Sequence, residues 1–241
     1  MNASAPESET SRNALKRAAA ESAVKLVQDG MVVGLGTGST ATFAVEALAG
    51  RHRDGLQFIA IPTSERTAAQ AKAANIPLTS FREHREIDLT IDGADEVERE
   101  TLNLIKGLGG ALLHEKIVAA ASRRLAIVVD NLKLVDRLGA RTPVPVEVVA
   151  FGLEATQAAL ESIGASARLR QSPTGEAFIT DSGNRILDCS FGPITDPATL
   201  EERIKRVVGV VESGLFIGRA NVVFVADPNG VHRLEATRDR M

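Results

Sequence analysis

The sequence predicts an α/β protein: a Rossmann-like parallel sheet with helices on both faces, joined to a smaller inserted α+β unit of the split βαβ type. Three observations predict it. Short β-branched runs (MVVGLG from Met31, FIAIP from Phe58, LAIVVD from Leu125) alternate with segments of helical periodicity, the pattern of parallel strands joined by crossover helices. Near residue 140 this gives way to proline-interrupted strands with hairpin turns, SPTG and DSGN. After Gly214 the first texture returns, with ANVVFVAD and VHRLE flanking the turn Pro228-Asn229-Gly230. The expected organisation is a disordered tail over 1–10, a main catalytic unit over 11–139 and 214–241, and an inserted unit over 140–213.

In chain order, Ser11 to Gln28 carries apolar residues at helical spacing (Leu15, Ala18, Ala19, Ala23, Leu26), and Gly30 closes the segment. MVVGLG is a buried strand running into a glycine turn, and TATFAVEAL a helix. GLQFIAIP is the next strand. SERTAAQAKAAN follows as a helix capped by Ser64, with Arg66 and Lys72 toward solvent. IPLTS predicts a short strand and IDLTI a longer one ending at Asp92. ALLHEKIVAAASRR predicts a helix and LAIVVD a strand. The second unit predicts strand 144–150, helix 152–163, strands 167–171, 177–180 and 185–190, and helix 196–208.

Composition excludes several function classes. Aromatics make up 3% of the chain, with no Trp or Tyr, so the stacking surfaces of a single-strand nucleic-acid binder are missing. The net charge is −3 with no basic run, unlike a phosphate-backbone footprint, although a small phosphate needs only a few local donors. Cys189 is the single cysteine, so no internal disulfide forms, and no cysteine–histidine cluster offers a zinc site; it reads as a strand-packing residue. The N-terminal stretch lacks the apolar core of a signal peptide, and no apolar run spans a membrane, so a cytoplasmic location is expected.

Ligands of such sheets bind beyond the carboxyl ends of the strands, and three motifs sit there. The first is GLGTGST, residues 34–40. A glycine turn between strand and helix exposes backbone N–H groups at a helix N-terminus, with hydroxyls of Thr37, Ser39 and Thr40 beside them. That suits a phosphate, or is simply a tight turn. No Lys follows the last glycine, and the spacing differs from a dinucleotide fingerprint, with Pro62-Thr63 in place of the expected acid. The second is TIDGADEVE, residues 90–98. Asp92 ends a strand, and Gly93-Ala94 turn the chain so that Asp95 can face the same space. Two such carboxylates suit a metal, sugar hydroxyls and ring opening, or an Asx-turn pair. Glu96 is expected to point away.

The third motif is LIKGLGGALLHEK, residues 104–116. Lys106 and the turn amides can stabilise negative charge, and Glu115, near the start of a helix, can serve as base. A helix N-terminus favours carboxylate over acid, whereas burial against Ala111, Leu112 and Val118 does the opposite; the balance is open at this level. Glu115–Lys116 could equally be an exposed helix pair. Lys16 and Lys133 each read as a surface lysine when taken alone. His52, His84, His114 and His232 form no metal-ligand spacing.

GTGST, the DGADE turn, KGLGGALLHEK, the strand ending at Asp130 with Lys133 beyond it, and PVPVEV, in this order, resemble the type A ribose-5-phosphate isomerases from about Ser11 onward. The resemblance implies interconversion of ribose 5-phosphate and ribulose 5-phosphate in the pentose phosphate pathway, with no cofactor or metal and no nucleic-acid or membrane partner. A homodimer or homotetramer is implied. Glu115 falls on the family's proton acceptor. Thr37, Gly38, Ser39 and Thr40, Asp92, Gly93, Ala94 and Asp95, Lys106, Gly107, Leu108 and Gly109, and Lys133 fall on its substrate-binding positions. Lys16 matches a lysine near the phosphate. On this reading Asp92 assists ring opening, Glu115 moves the proton through a cis-enediolate, and Lys106 with the turn amides stabilises that anion. Two departures stand out: His114 where an arginine is usual, and a longer N-terminal tail. Two rival readings are a non-catalytic sugar-phosphate sensor, which expects a basic helix-turn-helix module, and a nucleotide-dependent enzyme, which expects a different glycine loop.

Overall fold

The computed structural model describes residues 9–235. Helix α1 (Glu9–Val24) leads into β1 (Met31–Leu35), α2 (Ser39–Arg53), β2 (Phe58–Pro62), α3 (Glu65–Ala73) and β3 (Leu89–Asp92). Two short strands, β4 (Glu96–Glu98) and β5 (Leu104–Ile105), precede α4 (Leu112–Ala120) and β6 (Leu125–Asp130). A 3-10 turn over Asn131–Lys133 and β7 (Leu134–Val135) follow. Then come β8 (Val144–Val148), α5 (Leu153–Ser162), β9 (Ser166–Leu169), β10 (Arg185–Ser190), α6 (Pro197–Lys205) and β11 (Val210–Ser213). The chain closes with β12 (Leu215–Phe216), β13 (Val222–Asp227) and β14 (Gly230–Glu235).

The main sheet has the order β14-β13-β6-β3-β1-β2, parallel except for the antiparallel edge strand β14. Side chains alternate across it, as the strand period requires. Val33, Leu35, Leu89, Ile91, Ala126 and Val128 pack under α1, α2 and α3, with Ala19, Ala23, Val45, Leu48 and Ala71 from the helices. Leu125, Ile127, Val129, Val223 and Val225 face the other way. There α4 shares the cover with a third sheet, β12-β5-β4-β7, through Val97, Leu104, Leu134 and Phe216. Strands of two or three residues carry no readable periodicity, so the sequence reading missed this sheet.

The second four-stranded sheet has the order β11-β8-β10-β9, all antiparallel, with α5 and α6 as crossovers. That is the split βαβ connectivity. Its core is aliphatic (Val144, Val146, Val148, Leu160, Leu187, Ile204), and Cys189 is buried there with burial pushing its thiol up to about 12.

Several expectations need correction. The strand expected over 177–180 is one bridge between Gln171 and Ala177, because Thr180 turns instead to bond Asn184 and Glu147. IPLTS makes only the bridge Ala60–Leu78, a single edge contact to β2. The first helix starts at Glu9, inside the expected tail, and ends at Val24 rather than Gln28. Residues 1–8 of that tail and 236–241 of the main unit lie outside the described residues.

Candidate active site

Three segments meet beyond the carboxyl ends of β1 and β3, as ligand sites in open α/β sheets do. They line a polar cavity of about 70 Å³, open to solvent, walled by Thr37–Thr40, Gly93–Asp95, Lys106, Gly107, Gly109, Glu115 and Lys133.

The first segment is the turn from β1 into α2. Gly36 is required by close approach: a Cβ there would lie 2.1 Å from Asp92 Oδ1 and 2.6 Å from its Cα. Thr37 is buried, and its hydroxyl lies 2.7–3.1 Å from those of Thr63, Ser64 and Thr67. Thr63 and Thr67 in turn donate to the carbonyls of Leu35 and Gly36, both at 3.0 Å. Thr37 is thus bound into a hydroxyl network that stiffens the turn. Sequence reasoning missed this network, although T-S-x-x-T at the end of β2 was its visible signal. Ser39 and Thr40 open α2, and Ser39 Oγ accepts from Lys16 Nζ at 3.0 Å, so α1 brings Lys16 to the cavity rim.

The second segment carries the aspartates. Asp92 is fully buried and lies outside the cavity lining. Its carboxylate accepts from Thr37 N (3.2 Å), Gly93 N (2.7 Å) and Lys106 Nζ (2.9 Å). Asp95 lines the cavity and accepts from Leu108 N at 2.9 Å. Leu108, expected among the ligand-binding residues, spends its N–H there and leaves its side chain exposed outside the lining. Glu96 points away, accepting from the amides of Gly139, Arg141 and Thr142, each at 2.7 Å. Among the described residues no three His, Cys, Asp or Glu side chains converge as a metal-ligand group.

The third segment brings Lys106 and Glu115 together. Lys106 Nζ donates to Gly93 O at 2.7 Å and sits between two acids, 2.9 Å from Asp92 and 3.4 Å from Glu115. Burial opposes its charge, but Asp92 and Glu115 together hold its pKa above the ordinary lysine value. Glu115 lies in the first turn of α4 at 2% exposure, and Oε2 takes no hydrogen bond among the described residues. Burial pushes its pKa up to about 8; Lys106 opposes the rise, and the charges of Asp92 and Asp95 add to it. Burial therefore outweighs the helix terminus, the question left open by the sequence.

The neighbouring Lys116 is buried too, with Nζ 2.8 Å from Glu201 and 2.9 Å from Glu212, so α4 is tied to α6 and β11. An exposed Glu–Lys pair is excluded by these contacts. Lys133 reaches the rim from the 3-10 turn, where Asp130 accepts from Leu132 N at 3.1 Å. His114 lies outside the cavity lining, its Nε2 2.9 Å from Ser182 Oγ.

A parallel α/β sheet with a glycine turn rich in hydroxyls at one end of its cavity and a buried acid–lysine pair at the other fits a protein of the sugar-phosphate-handling class. The profile of the ribose 5-phosphate isomerase A (phosphoriboisomerase A) family matches residues 59–230, and the chain belongs to that family. A ribose-5-phosphate isomerase A of Gloeobacter violaceus is 61% identical over 220 residues, 91% of this chain and 95% of that relative. One of Gluconobacter oxydans is 54% identical over 227 residues, 94% and 98% of the two chains. Among solved structures, ribose 5-phosphate isomerase A of Methanocaldococcus jannaschii superposes with a TM-score of 0.89 at 41% identity, covering 93% of this chain and 100% of that one. A D-ribose-5-phosphate isomerase in complex with phospho-erythronic acid gives a TM-score of 0.89 at 38% identity, with 92% and 98% coverage.

Proposed function

We propose that this protein isomerises D-ribose 5-phosphate and D-ribulose 5-phosphate through a cis-enediolate, with Glu115 as the base. One observation carries the mechanism: a buried carboxyl, raised toward neutrality and lacking a hydrogen bond on one oxygen, sits beside a buried ammonium at the cavity floor. A base works best when its pKa lies near the working pH. The carboxylate of Glu115 takes the proton from C2, the C–H electrons form the C1–C2 double bond, and the carbonyl π pair moves onto O1 to give the enediolate. A proton then passes from O2 to O1, and the O2 pair forms the C2 carbonyl. The C1–C2 π pair takes the proton back from Glu115 at C1, which completes the aldose-to-ketose conversion; the reverse order runs it backwards. Lys106 faces the charge that develops on the enediolate oxygens.

At the other end, Gly38–Thr40 and Lys16 take the phosphate, so binding energy far from the reacting carbons orients them. Asp95 is the better candidate for assisting ring opening than Asp92, because it lines the cavity whereas Asp92 is enclosed by Thr37, Gly93 and Lys106. Asp92 then serves to hold Lys106. Proton transfer of this kind calls for no metal.

The split βαβ unit is proposed as an insertion over 140–213. A cytoplasmic location is proposed for a chain in which no described helix is long and apolar enough to cross a membrane. A homodimer or homotetramer is proposed on the family resemblance, and light scattering on the purified chain tests it. Conversion of ribose 5-phosphate to ribulose 5-phosphate in EDTA, with no nucleotide present, tests the function. Binding without turnover would leave a sensor, and turnover only with added magnesium or manganese would replace the enediolate route.

A further inference from the structure

The split βαβ unit contributes no residue to the cavity lining, yet one of its side chains reaches the backbone that builds the cavity. Arg170 directly follows β9, with its side chain 12% exposed. Its Nε donates to Asp188 Oδ2 on β10 at 2.9 Å, and Nη2 donates to the other oxygen of that carboxylate. The third corner of the guanidinium turns to the glycine turn: Nη1 donates to Gly107 O at 2.8 Å and to Leu108 O at 3.1 Å.

A trans peptide directs its N–H opposite its C=O. The peptide that gives Gly107 O to Arg170 therefore presents Leu108 N–H on the other side, where it donates to Asp95 Oδ2 at 2.9 Å. Asp188, Arg170, one peptide and Asp95 form a continuous chain from the small sheet to the cavity. The next peptide repeats the geometry. Its carbonyl, Leu108 O, is held by Arg170, so Gly109 N–H is directed away from the guanidinium, and Gly109 lines the cavity. A carbonyl bound by a cation polarises its peptide and strengthens the opposed N–H as donor. The turn closes on itself through Gly110 N–H to Gly107 O at 3.0 Å, with Gly107 at φ +105° and no strand pairing over residues 107–109. Arg170 ties that turn to the small sheet.

We infer that Arg170 is a positioning residue for the isomerisation: it sets the Gly107–Gly109 turn, and through it the Asp95 carboxylate and the Gly109 N–H, in the geometry the reacting end of the sugar requires. This rests on the reading of the cavity as the isomerisation site. A planar guanidinium is suited to the task because its rigid fork spans a carboxylate and two carbonyls at once, which an ammonium cannot do. It also gives the split βαβ unit a purpose in the reaction.

The test uses the full chain and Arg170→Met, Arg170→Lys and Asp188→Asn. Misplacement of reacting groups by about 1 Å costs roughly 100-fold, so Arg170→Met should lower kcat roughly 10- to 100-fold while KM stays within about threefold. Two probes separate positioning from general damage. Phospho-erythronic acid carries a planar carboxylate in place of the enediolate oxygens, and ribitol 5-phosphate carries the phosphate without a planar anionic head. Affinity for the first should fall at least ~10-fold and for the second less than about threefold, because only transition-state-like contacts are lost. Arg170→Lys, which can span fewer acceptors, should fall between wild type and Met. A folded Arg170→Met with wild-type kcat, or equal losses for both probes, overturns the inference. If that variant does not fold, Asp188→Asn keeps the guanidinium but frees its rotation. It should show the same split at several-fold magnitude, and no split overturns the inference as well. Loss of the isomerase reading itself looks different: the unaltered protein would lack turnover.

Discussion

Glu115 Oε2 stands 3.4 Å from Lys106 Nζ, within ion-pair distance, yet takes no hydrogen bond among the described residues. Lys106 gives its closer contacts to Asp92 at 2.9 Å and Gly93 O at 2.7 Å. One ammonium cannot neutralise two buried carboxylates equally. Burial raises the pKa of both acids, but Asp92 has the ammonium and two amides, and Glu115 is left with a free oxygen for a substrate proton.

Glu115→Gln should therefore lose at least ~100-fold in turnover, because shape persists while the base is gone. Binding of ribose 5-phosphate should persist. In deuterium oxide the unaltered protein should place solvent deuterium in the product, since a proton held on Glu115 can exchange before its return. Near-normal turnover of the variant, or product free of deuterium, would remove Glu115 from the mechanism.

The pH profile follows from the same carboxyl. Its pKa is raised to about 8, and the base is the deprotonated form. Hence kcat/KM should climb as pH rises toward and through that region. Lys106→Met removes the cation that opposes the rise, so the surviving activity should show its limb at still higher pH. A kcat/KM plateau beginning near pH 5.5 would mean that Glu115 titrates as an ordinary surface carboxyl.

Stability should respond in the opposite sense. Between the ordinary carboxyl value of 4.5 and about 8, the unfolded chain has released the Glu115 proton while the folded chain still holds it. The native state then binds more protons than the unfolded state, so stability falls as pH rises through that window. Glu115→Gln lacks this loss. Its Tm advantage over the unaltered protein should grow from pH 4.5 to 8, each kcal/mol appearing as roughly 2–4 °C. A Tm difference independent of pH would contradict the raised pKa.

At the opposite end, Ser39 Oγ accepts from Lys16 and so has its own proton free to donate, and Thr40 lines the cavity. Ser39→Ala with Thr40→Ala should weaken ribose 5-phosphate binding by roughly 1.5–3 kcal/mol per lost donor to the phosphate, leaving free ribose nearly unaffected. Calorimetric titration with both sugars checks this. Equal losses would show that the turn had collapsed.

Much of this site was legible in the chain because its backbone geometry is written in glycine. GLGTGST, DGAD and KGLGG each mark a turn at a strand end, and Glu115 follows the third of them by a fixed helical offset. Other features were hidden. Thr37 looked like a ligand donor, but its hydroxyl belongs to a network completed by Thr63, Ser64 and Thr67. Arg170 lies in a loop after a strand, with no motif to separate it from other surface arginines, and only packing brings it to Gly107.

The sequence by itself determined the longer strands and helices and their order, the change of texture at the second unit and the three turns, because periodicity and glycine act over a few residues. Only the tertiary structure decided which of the two aspartates faces the cavity, and that Lys106 divides itself unequally between Asp92 and Glu115. It also decided that Glu115 is held near neutrality rather than acidic, and that Lys116 is locked by Glu201 and Glu212, far along the chain. The physical reason is that desolvation and Coulomb terms depend on distance through space, which folding sets among residues the sequence keeps apart.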